Sequence, residues 1–485
     1  MLTKKYGVIS KNKVIGYVAS RYLTYIIQFV NSLFIAAYLG PFYLGIWGFI
    51  SLVGQYIGQF NLGISHSVNA IISIHKEKRW YVQKVVGTSM TMFLGLSLIV
   101  ILFFIINNLL NINIGSRYNF PKYSVLIVAT GIFGYLNASI STVFRVYGKL
   151  FEIAFSQTIV PTLMLFSIIF FKGEQLLWAL VISNFLSSLI SFILFLSKSP
   201  IKIKLLYIKR LFKYIQKKGW YLFVYNTSFY LIIITTRSFI SGYYSVKEFG
   251  YFTFAYTLAN VGLLLLDSLS FIIYPKLLNR FALSSSDVII SLLNMLRNGY
   301  ITISHLIIHI VILLFPLFLY FFPQYEQSKS AFYLIALTLA LYTNAFGYSG
   351  LLIAKEREKV LSYLTLLSLL INIILAFILA NIIKVPFSYI ILATMFSYFI
   401  FILGVVRLGL KYLHCQNNIM SLIQYVFPYQ LAIPFFLSLC LIFFQVSTIY
   451  FVIPLVVFGF FNITTIINLK QTIKRIIENP NFINI

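Results

Sequence analysis

Residues 198–218 read KSPIKIKLLYIKRLFKYIQKK, eight cations and no acid set between two long apolar stretches. Apolar residues recur between the lysines at helical spacing, which predicts a basic amphipathic segment in the headgroup layer with its charges toward anionic lipid. This gap is among the longest between apolar stretches, and it is too short for a soluble domain. Six apolar stretches precede it and eight follow, so it reads as a cytoplasmic linker between two lobes.

A hydrocarbon core about 30 Å thick takes roughly 20 apolar residues of helix. By that ruler the sequence predicts fourteen spans: 14–38, 43–74, 85–107, 122–144, 153–171, 175–197, 219–241, 249–275, 298–322, 330–354, 360–383, 386–410, 429–448 and 450–469. Twenty-nine of the 37 Lys and Arg residues fall in every second gap. Under the positive-inside rule those gaps and both termini face the cytoplasm. A missed or invented span would invert every later gap, so the alternation argues for an even count. The N-terminal lysines precede an apolar run too long for a signal-peptide core, which predicts a first spanning helix.

Composition agrees. The 485 residues are 60% hydrophobic and 10% charged, with a mean hydropathy of +0.93, which a water-facing globule could not sustain. The net charge of +27 sits beside spans, not on a soluble face, which excludes nucleic acid as a partner and points to anionic membrane lipids. Cys415 and Cys440 lie far apart and form no disulfide framework. The fold class is therefore all-α, a polytopic membrane protein.

A weak internal repeat divides the chain. At a shift of 205, residues 43–65 match 248–270, with Gly45 over Gly250, Trp47 over Phe252, Phe49 over Phe254 and Ser65 over Ser270. The expected organisation is a six-helix lobe at 1–197, the linker at 198–218, a six-helix lobe at 219–410, and an appended helix pair with a tail at 411–485. Duplicated lobes around a midplane site are a common transporter plan.

Charges inside spans cost a few kcal/mol and normally face a partner or a wet cavity. The sequence places Arg21, Arg237 and Asp267 there. Arg21 and Asp267 lie at comparable depth and are read as an inner gate, an ion pair that an anionic substrate opens; arginine suits phosphate because its planar fork binds two oxygens. The competing reading has the arginines snorkelling to headgroups and Asp267 as a structural carboxylate. Gln55, Gln59, Asn61, His66 and Asn69 form a polar stripe on the second span, lining a water-filled route or bonding neighbouring helices. His305 and His309, at i and i+4, have no acidic third ligand nearby and read as packed histidines, so no metal is expected. The ten acids include no paired aspartates, and no phosphate-binding glycine loop occurs, so no catalytic residues are assigned.

Three segments carry a resemblance: LGPFYLGIWGFISLVGQYIGQFNLGIS (39–65), SVKEFGYFTFAYTLANVGLLLLDSLSFIIYPKLLNRF (245–281) and GLLIAKEREKVLSYLTLLSLLINIILAFILA (350–380). With them the chain resembles bacterial polysaccharide flippases of the O-antigen and capsule type, in the multidrug/oligosaccharidyl-lipid/polysaccharide exporter superfamily. The resemblance implies a two-lobed transporter of the bacterial inner membrane with a cationic central cavity, to which Arg21 and Arg237 are the matching positions. It implies undecaprenyl-diphosphate-linked glycan as cargo, with a polysaccharide polymerase and co-polymerase as assembly partners. It leaves open a lipid II flippase, a multidrug or organic-cation antiporter and, from another class, a glycan polymerase or ligase. Members often carry an acid in the seventh span where this chain has Thr235 and Thr236. Asp267 is then the embedded acid left to couple a proton or sodium gradient; no cofactor is expected.

Overall fold

A computed structural model describes residues 11–478 except 76, 111, 113, 114, 416 and 417, with backbone alone for 11–19, 108, 262–276, 279 and 469–478. Among the described residues the chain is helical throughout, and it divides into two compact units, Met1–Val224 and Tyr225–Ile485.

The N-terminal unit begins with α1 (Lys11–Gln59), whose 49 residues are interrupted at Gly40. There φ is +65°, a left-handed value suited to glycine, and Pro41 opens the second stretch with its fixed φ. The chain turns again at Leu62 and Gly63, both with positive φ, before α2 (Ile64–His75). The single span expected over 43–74 is thus two helices. After them come α3 (Arg79–Leu109), α4 (Ser124–Val146), α5 (Leu150–Phe170) and α6 (Gly173–Ser197). The helices of this unit are held together by small polar side chains that let backbones approach and bond across helices. Ser89 meets Ser139 at 2.7 Å, Ser167 meets Ser183 at 2.8 Å, and Thr24 meets Thr158 at 2.9 Å. Asn31 donates to the Pro161 carbonyl at 2.6 Å. Outward, Leu98, Leu102, Phe103, Ile169 and Phe170 are all exposed, an apolar exterior that only lipid covers without penalty.

The basic segment departs from expectation. Residues 202–208 are not helical, and α7 (Lys209–Tyr243) starts eleven residues into the linker. Ile201, Ile203 and Leu205 alternate with Lys202 and Lys204, an extended period of two, and Pro200 disfavours continuation of the preceding helix. The extended stretch lies on α3 where Gly87 leaves room: Leu206 N–H donates to the Gly87 carbonyl, and Thr91 Oγ1 donates to the Leu206 carbonyl at 2.9 Å. α7 then crosses α2 at a glycine contact, and Ser67 Oγ donates to the Ile215 carbonyl at 2.5 Å. A Cβ on Gly219 would stand 2.1 Å from Ser67 Oγ and 2.7 Å from the Gly63 carbonyl. Gly219→Ala is therefore expected to lower stability by about 1–3 kcal/mol, read as a fall in the unfolding temperature of the detergent-purified protein.

The C-terminal unit continues with α8 (Val246–Leu283), α9 (Ser286–Phe321), α10 (Lys329–Tyr342), α11 (Tyr348–Ala354), α12 (Glu358–Phe377), α13 (Ile391–Tyr412), α14 (Ile419–Val426), α15 (Tyr429–Phe443) and α16 (Val452–Glu478). Ser245 and Glu248 form a capping box that starts α8. α10 and α13 are largely buried, and α15 and α16 pack on each other and against α10 and α9. Two pairs are bent, by 41° between α10 and α11 and by 74° between α14 and α15. Nine helices are long and apolar enough to cross a membrane, or eleven counting each bent pair, among the described residues. This is an all-helical polytopic membrane protein.

Candidate functional site

The second stretch of α1 carries Trp47, Ser51, Gly54, Gln55 and Gly58, positions i, i+4, i+7, i+8 and i+11 that fall on one helical face. α4 repeats the pattern with Ile127, Thr130, Gly131, Gly134, Tyr135 and Ala138, and α6 supplies Val181, Asn184 and Ser188. Three helix faces thus converge around a cavity of about 420 Å³ in the N-terminal unit, lined as well by Asn61 and Ser65. That volume lies in the range of small-molecule sites.

The glycines have two jobs. At Gly131 a Cβ would meet Ile57 at 2.5 Å, so this residue permits α4 to close on α1. At Gly54, Gly58 and Gly134 a Cβ would meet nothing within 4 Å, so these residues leave the cavity open. Tyr135 closes the wall by donating its hydroxyl to the Ile57 carbonyl and stacking on Phe93 at 5.6 Å.

The lining has no Asp, Glu, Lys, Arg or His. Its polarity comes from amides and hydroxyls, and some of these are already committed. Asn61 donates to the Gly58 carbonyl and accepts from Gly63 N–H, bracing the turn between α1 and α2, and Thr130 donates to the Leu126 carbonyl one turn back. Asn184, Ser51 and Ser65 have side chains with no hydrogen-bond partner among the described residues.

Of the stripe anticipated from sequence, Gln55 and Asn61 line this cavity, and Gln59, His66 and Asn69 do not. The positive-φ turn at Leu62 and Gly63 ends the helical register that would have continued the stripe. Arg21 is half-buried on α1, where its Nη2 donates to the Tyr25 hydroxyl one turn on and its guanidinium lies 5.3 Å over that ring. Arg237, on α7, is 3% exposed, 5.1 Å over Tyr256 and 5.8 Å over Phe249, which is no snorkelling position. Beside it Thr236 meets Thr394 at 2.6 Å, and Asn372 donates to the Ile232 carbonyl at 2.8 Å. Asp267 lies on α8, and its side chain is outside the described residues.

One buried cation was misplaced from sequence. Arg297, counted there as a cytoplasmic gap charge, is 3% exposed within α9. Its Nε donates to the Asn344 carbonyl at 3.2 Å, and its Nη2 to the Tyr425 and Val426 carbonyls at 3.0 and 3.2 Å. Tyr425 and Val426 end α14, and Asn344 lies between α10 and α11, so the guanidinium meets carbonyls that both helix breaks leave without helical partners. Partial negative charge at the α14 C-terminus balances the cation. Asn344 completes the knot, donating to the Val426 carbonyl at 3.1 Å while its Oδ1 meets His305 Nε2 at 3.0 Å. His309 packs beside Phe458.

No family model matches the sequence, and no curated protein does. Solved structures match over most of their lengths. The lipid II flippase MurJ, in an inward closed conformation, aligns with a TM-score of 0.67 at 17% identity, over 95% of this chain and all of that one. An inward-facing multidrug resistance MATE family transporter of the MOP superfamily aligns at 0.65 and 14%, over 81% and 94%. This chain shares the fold of these two transporters. A MOP transporter from Pyrococcus furiosus, whose binding pocket is described as reversed in polarity, shares the fold at 0.55 and 12% identity, over 82% and 94%. Identities this low speak to the fold alone.

Proposed function

We propose that this protein is a flippase that carries undecaprenyl-diphosphate-linked oligosaccharide from the cytoplasmic to the outer leaflet of the bacterial inner membrane, for assembly of a surface polysaccharide. The reading rests on one observation: among the described residues, the cavity of the N-terminal unit is lined by aliphatic side chains, two aromatic rings, amides and hydroxyls, with no carboxylate. An organic cation taken from water into such a cavity would lose its hydration with no counter-charge, whereas a glycan head would exchange water for hydrogen bonds. The bare diphosphate is assigned to Arg21 and Arg237, whose planar forks suit phosphate oxygens; the fork of Arg297 is taken up by backbone carbonyls of two helix breaks. Asp267 is assigned ion coupling.

Fourteen crossings, with both termini cytoplasmic, fit this reading. To the nine long apolar helices the break at Gly40 in α1 adds one, the two bent pairs add two, and α7 and α8 are counted as two more. Transport would proceed by alternating access. Lipid II is the second cargo to test, because MurJ shares the fold and its cargo is named a lipid.

The test uses proteoliposomes holding undecaprenyl-diphosphate oligosaccharide with a fluorophore on the glycan. In protein-free vesicles dithionite bleaches the outer leaflet and leaves the inner leaflet protected; with the flippase the protected fraction is expected to bleach as well. Protection that persists for this lipid, while a labelled organic cation crosses, would replace the flippase with a cation exporter.

A further inference from the structure

We infer that the cavity of the N-terminal unit is a sugar subsite, receiving uncharged sugar rings of the cargo head and not its diphosphate; this rests on the flippase reading above. Chemistry eliminates the other occupants. A diphosphate needs cations or clustered N–H donors, and no Lys, Arg or His lines the wall. An organic cation needs a carboxylate or an aromatic cage, and among the described residues the wall offers no carboxylate and only the rings of Trp47 and Tyr135. A polyprenyl or acyl chain would strand Asn184, Ser51 and Ser65 against hydrocarbon, at a cost for each unmet polar group.

A sugar ring answers each feature. Its hydroxyls both donate and accept, as do the two serines, and the Asn184 amide offers two donors and an acceptor. Its C–H face suits Trp47, whose ring is half-buried at the cavity wall. The open positions at Gly54 and Gly134 give a flat ring room that any side chain would take away. The three unpaired polar side chains come from α1, α2 and α6, so a ring bonded to all of them would be oriented from three directions.

The experiment reads Trp47 fluorescence in the full-length protein in nanodiscs, with Trp80, Trp178 and Trp220 each changed to Phe. The probes are N,N′-diacetylchitobiose and maltose, compared with inorganic pyrophosphate and tetraphenylphosphonium. A saturable change with at least one disaccharide, and none with pyrophosphate or the cation, is expected. At Gly134 a Cβ meets nothing within 4 Å, so Gly134→Leu should fill the cavity and abolish the response, with the fold intact by circular dichroism. Asn184→Leu should weaken it about tenfold, the loss of roughly one net hydrogen bond. Silence with both disaccharides, a response to the cation, or an unchanged response in Gly134→Leu would overturn the subsite. The two readings separate in the vesicle assay. If Gly134→Leu flips the labelled lipid as fast as the parent protein, the subsite fails and the flippase stands. If disaccharide binding is lost in Gly134→Leu but the parent flips no lipid-linked glycan, the flippase fails and the sugar site stands.

Discussion

Arg297→Met is expected to lower stability by about 3 kcal/mol or more, because three buried carbonyls lose their donor and each unmet group costs about 1–3 kcal/mol. Methionine approximates the length of the side chain and keeps its apolar contacts, so the loss isolates the hydrogen bonds. Arg297→Lys should fall between, since an ammonium retains the charge but lacks the planar fork that reaches Asn344 and the α14 terminus together. Asn344→Leu should destabilise as well, and the double variant should lose less than the two single losses combined, because both residues serve the Val426 carbonyl. The measurement is the unfolding temperature at one fixed scan rate in detergent, with thiol labelling of Cys415 as a local probe near the break. If Arg297→Met unfolds with the parent protein, the knot contributes nothing and the helix breaks are held by packing alone.

Arg21→Ala is expected to abolish flipping of the lipid-linked glycan while the protein still inserts and purifies. Losing charge-assisted bonds to a phosphate, at about 1.5–3 kcal/mol each, corresponds to roughly tenfold to a hundredfold per bond. Arg21→Lys should recover part of the rate through its charge, and Tyr25→Phe should reduce it by freeing the guanidinium from the ring hydroxyl that now engages it. Full transport in Arg21→Ala would remove this residue from the diphosphate site. The assay is the dithionite protection measurement, so both variants are scored on the step proposed for the protein.

Much of the membrane plan could be read from residue order because it follows from local quantities. Apolar run length marks the spans, and the Lys and Arg bias of the gaps gives the orientation expected of them. The polar face of the second span was legible as well: Gln55 fell at helical spacing, and it does line a cavity with Asn61. The continuation through Gln59, His66 and Asn69 was not, since it presumed a register that Leu62 and Gly63 interrupt. The linker misled for a similar reason. Its helical spacing was true from Lys209 onward, while Ile201, Ile203 and Leu205 carried a period of two that was overlooked.

Arg297 shows the limit from the other side. An apolar window that opens at residue 298 leaves it in a gap, but α9 begins at Ser286, and Ile289, Leu293 and Arg297 share a face at i, i+4 and i+8. That spacing was present in the sequence and marks a cation on a buried face. What it could not show was the partners, because Asn344, Tyr425 and Val426 are distant along the chain.

The order of residues by itself determined that this is a many-span helical membrane protein, because hydrocarbon thickness and loop charge act on each segment separately. Only the tertiary structure decided that Thr130, Tyr135, Asn184 and Ser188 join Trp47 and Gln55 around one uncharged cavity, and that Arg297 serves two broken helices. A hydrogen bond or a cavity wall needs groups within a few ångströms of one another, and that proximity comes from packing helices far apart in sequence.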